Sequence, residues 1–156
     1  MRTIWMKRLE GCELDVEVWQ RILSVRSIVL TPADDMDTWI KFANLCRKSG
    51  RMVLAEKTLN SLLGPDAHQA MDAPLAPKAP PAVIYSHLKF MWACGARAES
   101  LSYLRDFTAN LAEDLGMAAV DEQQNLVMPD MRAAPRLADF ARLLARCYFK
   151  LGEWQV

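Results

Sequence analysis

Residues 35–64, DMDTWIKFANLCRKSGRMVLAEKTLNSLLG, carry the clearest structural pattern of the sequence. Apolar residues recur in it at spacings of three and four on both sides of Ser49-Gly50, which is the period of an amphipathic helix. Gly50 interrupts the pattern and Gly64-Pro65 ends it, as turn residues do. The stretch therefore predicts two antiparallel helices joined by a tight glycine turn.

Paired helices with a glycine between them suggest a helical repeat, whose phase can be tested. If Gly50 is the inter-helix glycine of a tetratricopeptide-type unit, the packing positions of both helices are filled in one phase. The matching residues are Trp39, Phe42, Ala43 and Cys46 in the first helix and Ala55, Leu59 and Leu62 in the second. Small residues such as Ala55 are needed where two helices cross closely. Trp39 fills the adjoining space, so it is expected to be buried against the helix that carries Ala55.

Two further glycines mark weaker units in the same phase. Gly95 separates helical patterns at 82–94 and 97–115, and Gly152 ends a last pattern at 136–151. The matching residues are Ile84, Leu88, Met91, Leu104 and Phe107 in the second unit and Leu144, Ala145 and Tyr148 in the third. Only the first helix of the third unit is present, so we expect its apolar face to promote self-association or this helix to dock elsewhere.

The remaining sequence is helical or irregular, and none of it shows the period of two that marks a strand. A helix is predicted at 14–29, with a buried stripe that consists of Leu14, Val18, Ile22, Val25 and Val29. Five prolines at 65–81 exclude regular helix and predict a surface loop. Weak periodicity at 116–134 predicts a second irregular insert. The predicted fold class is all-α, an α-solenoid of tetratricopeptide-like antiparallel helix pairs.

Composition excludes several classes of function. Lys+Arg and Asp+Glu both number 19, so no global field attracts nucleic acid or an acidic membrane. The four cysteines lie far apart, which disfavours a metal site and fits a reducing compartment. No apolar run approaches the roughly 20 residues that span a bilayer. We therefore expect a cytosolic or nuclear chain without metal, nucleic-acid partner or membrane insertion.

Three runs of the sequence carry a family resemblance. They are DVEVWQRILSVRSIVLTP (15–32), DMDTWIKFANLCRKSGRMVLAEKTLNSLLG (35–64) and ARCYFKLGEWQ (145–155). These runs closely resemble the FAT region of target-of-rapamycin (TOR) kinases, serine/threonine protein kinases of the PI3-kinase-related family, and IKFANLCRKSGR is similar to fungal members. The stretch YSHLKFMWACGARAESLSYLRDF (85–107) is similar but looser.

The resemblance implies that residues 1–156 are part of a FAT domain, a non-catalytic α-solenoid that wraps around the kinase domain of a nutrient-responsive growth regulator. The implied partners are that kinase domain, the remaining solenoid and subunits of the TOR complexes. The implied location is the cytoplasm, with peripheral association of the parent with vacuolar or lysosomal membranes. The sequence itself has no glycine-rich phosphate loop and no Asp-Phe-Gly motif, because Asp139-Phe140 is followed by Ala141.

One set of cations suggests more than a scaffold role. In the repeat phase, Lys89 and Arg146 occupy the ninth position of their first helices, while Lys48 and Lys150 occupy the thirteenth. Positions four apart share a helix face, so stacked repeats would place these cations on one inner wall. The resemblance implies the ligand, because FAT regions of this family bind inositol hexakisphosphate and these four residues match its basic pocket. We expect a structural ligand and no required cofactor.

Two other classes of function are weighed against this reading. A free-standing tetratricopeptide module would bind a partner peptide in its groove. Such a module is expected to end in a polar capping helix, whereas this chain stops at Trp154-Gln155-Val156. An independent enzyme would need a nucleophile with its base, or a metal set, and the sequence shows neither constellation.

Overall fold

The described part of the chain is helical. A computed structural model describes residues 4, 9, 11–12, 14–63, 80–114 and 135–155. Six helices are bounded within these ranges, namely α1 (Val16–Arg26), α2 (Met36–Lys48), α3 (Met52–Leu63), α4 (Pro81–Ala93), α5 (Arg97–Asp114) and α6 (Pro135–Gln155). The same ranges contain no strand. The predicted all-α class is confirmed.

Helix α1 begins at a side-chain cap. The carboxylate of Asp15 accepts hydrogen bonds from the backbone N–H groups of Glu17 at 2.8 Å and Val18 at 3.0 Å. These bonds satisfy donors that the first turn of a helix leaves without a partner. Arg26 lies in the last turn, where the helix dipole favours a cation. The sequence therefore fixes the start of α1 locally.

The buried face of α1 differs from the predicted stripe, and that prediction is wrong. The predicted residues that are exposed instead are Leu14 (74%), Val18 (38%), Val25 (59%) and Val29 (82%). The side chains that pack inward are Val16, Trp19, Leu23 and Arg26. Both faces of α1 are apolar, so periodicity alone does not choose between them. Trp19 decides the choice because a tryptophan gains the largest apolar area on burial.

The hairpin of α2 and α3 turns at Gly50, as predicted. Gly50 has φ +76°, in the left-handed region that favours glycine. The N–H of Arg51 donates to the carbonyl of Cys46 at 2.8 Å, and the N–H of Gly50 donates to that of Arg47 at 3.2 Å. These two bonds form a Schellman motif, which satisfies the last carbonyls of α2. The chain then reverses into α3.

The repeat phase explains the core of the first compact unit, Met1–Gly95. Six of the seven phase residues are buried, namely Phe42, Ala43, Cys46, Ala55, Leu59 and Leu62. Trp39, which was predicted to be buried, is only half-buried; it packs against this core and meets the Phe42 ring edge-on at a centroid distance of 6.1 Å. Burial raises the pKa of Cys46 to about 11, so its thiol stays neutral and acts as a small apolar group.

Helix α4 completes the first unit. It starts at Pro81, at a position where the missing N–H of proline has no helical partner to lose. It packs on both α2 and α3, with Leu88 buried and Ile84 and Met91 half-buried. Gly95 follows with φ +97°, and the chain divides into its two units after this residue. The helix pairing predicted about Gly95 spans that division and stays a prediction.

The second unit, Ala96–Val156, packs α5 against α6. Its buried residues include Ser100, Leu104, Phe107, Leu144 and Cys147. The predicted helix end at Gly152 is wrong, because α6 runs through this residue to Gln155. Of the three residues that the repeat pattern at Gly152 predicted to pack, two, Ala145 and Tyr148, are exposed.

The two predicted irregular segments lie almost entirely outside the described residues. Of the loop at 65–81, only Pro80 and Pro81 are described, and the insert at 116–134 is not described at all. Within the described ranges, no helix combines the length and apolarity that crossing a membrane requires. The same ranges hold no cluster of three or more His, Cys, Asp or Glu side chains suited to a metal ion.

Candidate anion-binding site

Two of the four predicted cations lie in the first unit. Lys48 is the last residue of α2 and is exposed, and Lys89 lies in α4 and is half-buried. Their helices are in contact. A hydrogen bond joins these helices, because Asn44 Nδ2 donates to Ser86 Oγ at 3.3 Å. The same amide also donates to the carbonyl of Ile40 at 2.8 Å, which fixes its orientation.

Lys89 makes a cation–π contact with an aromatic ring. The Nζ atom of Lys89 lies 4.5 Å from the centroid of the Tyr85 ring, within the range of a cation–π interaction. Tyr85 lies one helical turn before Lys89, and its side chain is buried. The contact therefore limits the positions that the ammonium group adopts at the surface.

Arg47 precedes Lys48 on α2 and was not predicted as part of the pocket. Burial lowers the pKa of Arg47, and the electrostatic influence of Tyr85 opposes that shift. The Arg47 Nε atom is buried without a hydrogen-bond partner. The sequence signal for this residue was its position one turn after Asn44, which faces α4. The first unit therefore presents Arg47, Lys48 and Lys89 on two helices that pack together.

The other two predicted cations lie in the second unit, one turn apart on α6. Arg146 is exposed, and Lys150 is half-buried. The Nζ atom of Lys150 lies 2.8 Å from Oε2 of Glu153, one turn further along the helix. An anion that binds Lys150 must therefore compete with a carboxylate of the same chain. The positions of Lys48 and Lys89 are thus given within the first unit, and those of Arg146 and Lys150 within the second.

A buried ion pair, which was not predicted, joins α1 to α2 in the first unit. Arg26 Nε lies 2.8 Å from Asp35 Oδ2, and Arg26 Nη2 donates to Asp35 Oδ1 at 3.1 Å. The hydroxyl of Thr38 donates to the same Oδ1 atom at 2.8 Å. Both charged side chains are more than nine-tenths buried, so removing one partner would leave an uncompensated buried charge. The pair is structural, since it joins the end of α1 to the start of α2.

The comparisons with known proteins give this geometry its context. The family model of the FAT domain matches residues 1–156. This chain belongs to the FAT domain family. The FAT segment is 47% identical over 157 residues to the serine/threonine-protein kinase TOR2 of Saccharomyces cerevisiae, an alignment that covers 100% of this chain and 6% of that protein. The predicted family is confirmed.

More distant relatives show the same relation. Identity is 36% with the serine/threonine-protein kinase tor1 of Schizosaccharomyces pombe, over 99% of this FAT segment and 7% of that protein. It is 37% with the serine/threonine-protein kinase TOR of Arabidopsis thaliana, over 99% of the segment and 6% of that protein. The segment thus spans less than a tenth of the length of these relatives, and it corresponds to their FAT region.

Proposed function

We propose that this FAT segment is a non-catalytic scaffold within a cytoplasmic TOR-type kinase, where it helps to brace the kinase domain. The observation that carries the proposal is the exposure of large apolar side chains in each unit. Ile28 and Val29, just after α1, are 83% and 82% exposed, and Phe149 of α6 is 75% exposed. Helical repeats bury such faces against neighbouring repeats. The remaining solenoid of a parent protein would supply those neighbours.

Replacing exposed apolar side chains with lysine tests the scaffold role. Val29→Lys and Phe149→Lys in the full-length parent should lower both the yield of folded kinase and its phosphorylation of substrate, because the lysine would be buried against a neighbouring repeat. In the 156-residue chain, Val29→Lys should leave the melting temperature unchanged, because Val29 is exposed there. Ser102→Lys, at an exposed polar position of α5, is the matched control. Parent variants that behave like this control would contradict the proposal.

The finer part of the proposal concerns a ligand. Lys48, Lys89, Arg146 and Lys150 bind inositol hexakisphosphate, which acts as a structural ligand of the folded parent. The contact between Lys89 and Tyr85 supports this assignment, because a cation that is already held in place loses less entropy on binding. An anion that binds only the native state stabilises that state by linkage. The ligand therefore serves folding rather than phosphate transfer.

Calorimetry on the purified full-length parent tests the ligand. Inositol hexakisphosphate should bind with an affinity that falls steeply with salt concentration, and it should raise the melting temperature. Lys89→Glu or Arg146→Glu should weaken binding by at least about tenfold, since each exchanges a charge-assisted hydrogen bond for repulsion. Lys57→Glu, on an exposed position of α3, should not. The absence of both heat and thermal shift would leave the scaffold role alone.

A peptide-binding module remains the second candidate, because the first unit contains a groove. Its volume is about 570 Å³, and its lining includes Gln20 and Val25 of α1 and Leu54 of α3. Arg51 and Glu17 face each other there at 3.7 Å. Screening the 156-residue chain against a peptide library tests this alternative. Saturable binding that Val25→Lys abolishes would favour it over the scaffold role.

A further inference from the structure

The groove of the first unit runs along one side of helix α1. Six residues of α1 line it, from Val16 to Val25, and Arg51 and Leu54 line it at the start of α3. At 1.5 Å per residue, the wall that α1 forms is about 14 Å long. The groove volume of about 570 Å³ lies within the range of binding pockets, about 300–1,000 Å³. The groove therefore has room for several side chains of a binding segment.

Part of the groove wall is apolar and open to solvent. Val25 is 59% exposed, and Leu54, which faces the same space from α3, is half-buried. Val18 lies two turns before Val25 on the same face of α1 and is 38% exposed, so the apolar surface continues beside the groove. Apolar surface gains free energy when a partner removes it from water. This wall favours a partner with apolar side chains.

The charges that line the groove do not balance. Two exposed arginines, Arg21 and Arg51, stand against one carboxylate, that of Glu17. Arg51 Nη2 lies 3.7 Å from Glu17 Oε1, near the outer limit of an ion pair. Arg21 lies one turn after Glu17 on the same face of α1, and it forms no ion pair with another described residue. The groove therefore complements a partner that brings a negative charge.

We propose that this groove binds an amphipathic helical segment of a partner protein, whose apolar face covers Val25 and Leu54 and whose acidic side chain pairs with Arg21. This inference rests on the peptide-binding alternative proposed above and names the class of segment that binds. Helix-in-groove recognition uses apolar anchors three, four and seven residues apart, a span that the α1 wall accommodates. The carboxylate adds specificity, because charge complementarity suppresses the binding of segments with the wrong charge.

Three matched peptide libraries test the chemistry of the partner. Each contains peptides of about 12 residues, long enough to span the α1 wall as a helix, with apolar residues at helical spacing. One position holds Asp or Glu in the first library, Asn or Gln in the second, and Lys or Arg in the third. Selection on the 156-residue chain should enrich the acidic library. The best acidic peptide should bind about fivefold more tightly than its amide counterpart, the upper range for an exposed charge pair. Equal binding of these two peptides would refute the recognition of charge.

Variants of the groove locate the binding site. Val25→Lys should abolish binding, whereas Val53→Lys, at an exposed apolar position of α3 outside the groove (66%), should not. Arg21→Gln should weaken the binding of the acidic peptide about threefold and leave that of the amide peptide unchanged. A structural role of Arg21 would affect both peptides equally. Arg142→Gln, at an exposed position of the second unit, is the matched control.

Glu17 provides a test of opposite sign. Its carboxylate repels an acidic segment and competes with that segment for Arg51. Glu17→Gln should therefore strengthen the binding of the acidic peptide by about two- to threefold and leave that of the amide peptide unchanged. Weaker binding of the acidic peptide by this variant, at an unchanged melting temperature, would contradict the proposed charge contact.

Other occupants of the groove would give different outcomes. If the acidic peptide binds the 156-residue chain but not the full-length parent, the solenoid of the parent covers the groove and the inference is overturned. If Val25→Lys abolishes self-association in sedimentation, the occupant is a second copy of the chain, which also overturns it. If no library binds, the peptide-binding alternative fails and the inference fails with it. Binding to both the chain and the parent, lost in Val25→Lys and weakened in Arg21→Gln, supports the inference.

Discussion

Lys48-Ser49-Gly50-Arg51 and Lys150-Leu151-Gly152-Glu153 share a lysine and a glycine at the same spacing, but their backbones differ. Gly50 takes a positive φ and ends α2, whereas Gly152 lies inside α6. After Gly50 the chain enters α3, which buries its apolar face on α2. After Gly152 the next side chain, Glu153, pairs with Lys150 one turn back. Glycine therefore permits a turn, and the packing of the following segment decides whether the turn forms.

The largest expected difference between these regions lies in their phenylalanines. Phe42 is 2% exposed at the centre of the helical hairpin, and Phe149 is 75% exposed one residue before Lys150. Phe42→Ala should lower the free energy of unfolding of the 156-residue chain by about 3–5 kcal/mol, because it leaves a cavity in a packed core. Phe149→Ala should change it by no more than about 0.5 kcal/mol. Urea unfolding of both variants measures the difference, and similar losses would refute the assignment of the core.

The glycines themselves give the next largest effect. Gly50→Ala should lower the free energy of unfolding by about 1–2 kcal/mol, the cost of a left-handed backbone for a residue with a Cβ atom. A Cβ atom on Gly50 would meet nothing within 4 Å, so the cost comes from the backbone alone. Gly152→Ala should instead raise the stability by up to about 1 kcal/mol, since alanine favours a helix. Destabilisation by Gly152→Ala would show that the helix ends there in solution.

The sequence could predict the first region better than the second for a physical reason. The phase around Gly50 rests on two helices that bury each other, so a mismatch on either would have been visible in the pattern. The phase around Gly152 rests on one helix, and the exposure of Ala145 and Tyr148 depends on whether another segment covers them. The same limit explains the wrong prediction for the buried face of α1, because both of its faces carry apolar residues at helical spacing. The ion pair of Arg26 and Asp35 depends on tertiary contact and has no local signature.

The candidate site follows the same division. The sequence phase placed Lys48 and Lys89 on the first helices of successive repeats, and these helices, α2 and α4, do pack together. It gave only a weak signal for Arg47, whose half-burial depends on tertiary packing. It could not show that Lys150 is paired with Glu153, since the helix was expected to end between them.

The exposed surface near Gly152 should cause self-association, which the hairpin around Gly50 should not. Tyr148 and Phe149 are 55% and 75% exposed on adjacent positions of α6. Sedimentation of the 156-residue chain should show a mass that rises with concentration, and Phe149→Lys should abolish that rise. Val53→Lys is the control, because Val53 is also an exposed apolar side chain (66%) but lies in α3 beside the hairpin turn. A concentration-independent monomer would contradict the prediction.

The smallest expected effect concerns the residue that follows each glycine. Arg51 adds a cation after Gly50, whereas Glu153 places a carboxylate 2.8 Å from the Nζ atom of Lys150. Glu153→Gln should barely change the stability, because an exposed ion pair contributes only about 0.2–1 kcal/mol. It should nevertheless strengthen the binding of inositol hexakisphosphate to the parent by about two- to fivefold, since a nearby negative charge repels the ligand by about 1 kcal/mol or less in water.

Asp139→Asn provides the matched control for Glu153→Gln. Asp139 pairs with Arg142 at 3.3 Å in the same helix and with the same spacing, but both side chains are at least three-quarters exposed and lie more than two turns from Lys150. Its substitution removes the same charge, so it should reproduce any change in affinity that arises from net charge alone. The distance from Lys150 leaves only a screened interaction, which should be close to nil at physiological salt. If both substitutions strengthen binding equally, or if neither does, Lys150 does not contact the ligand.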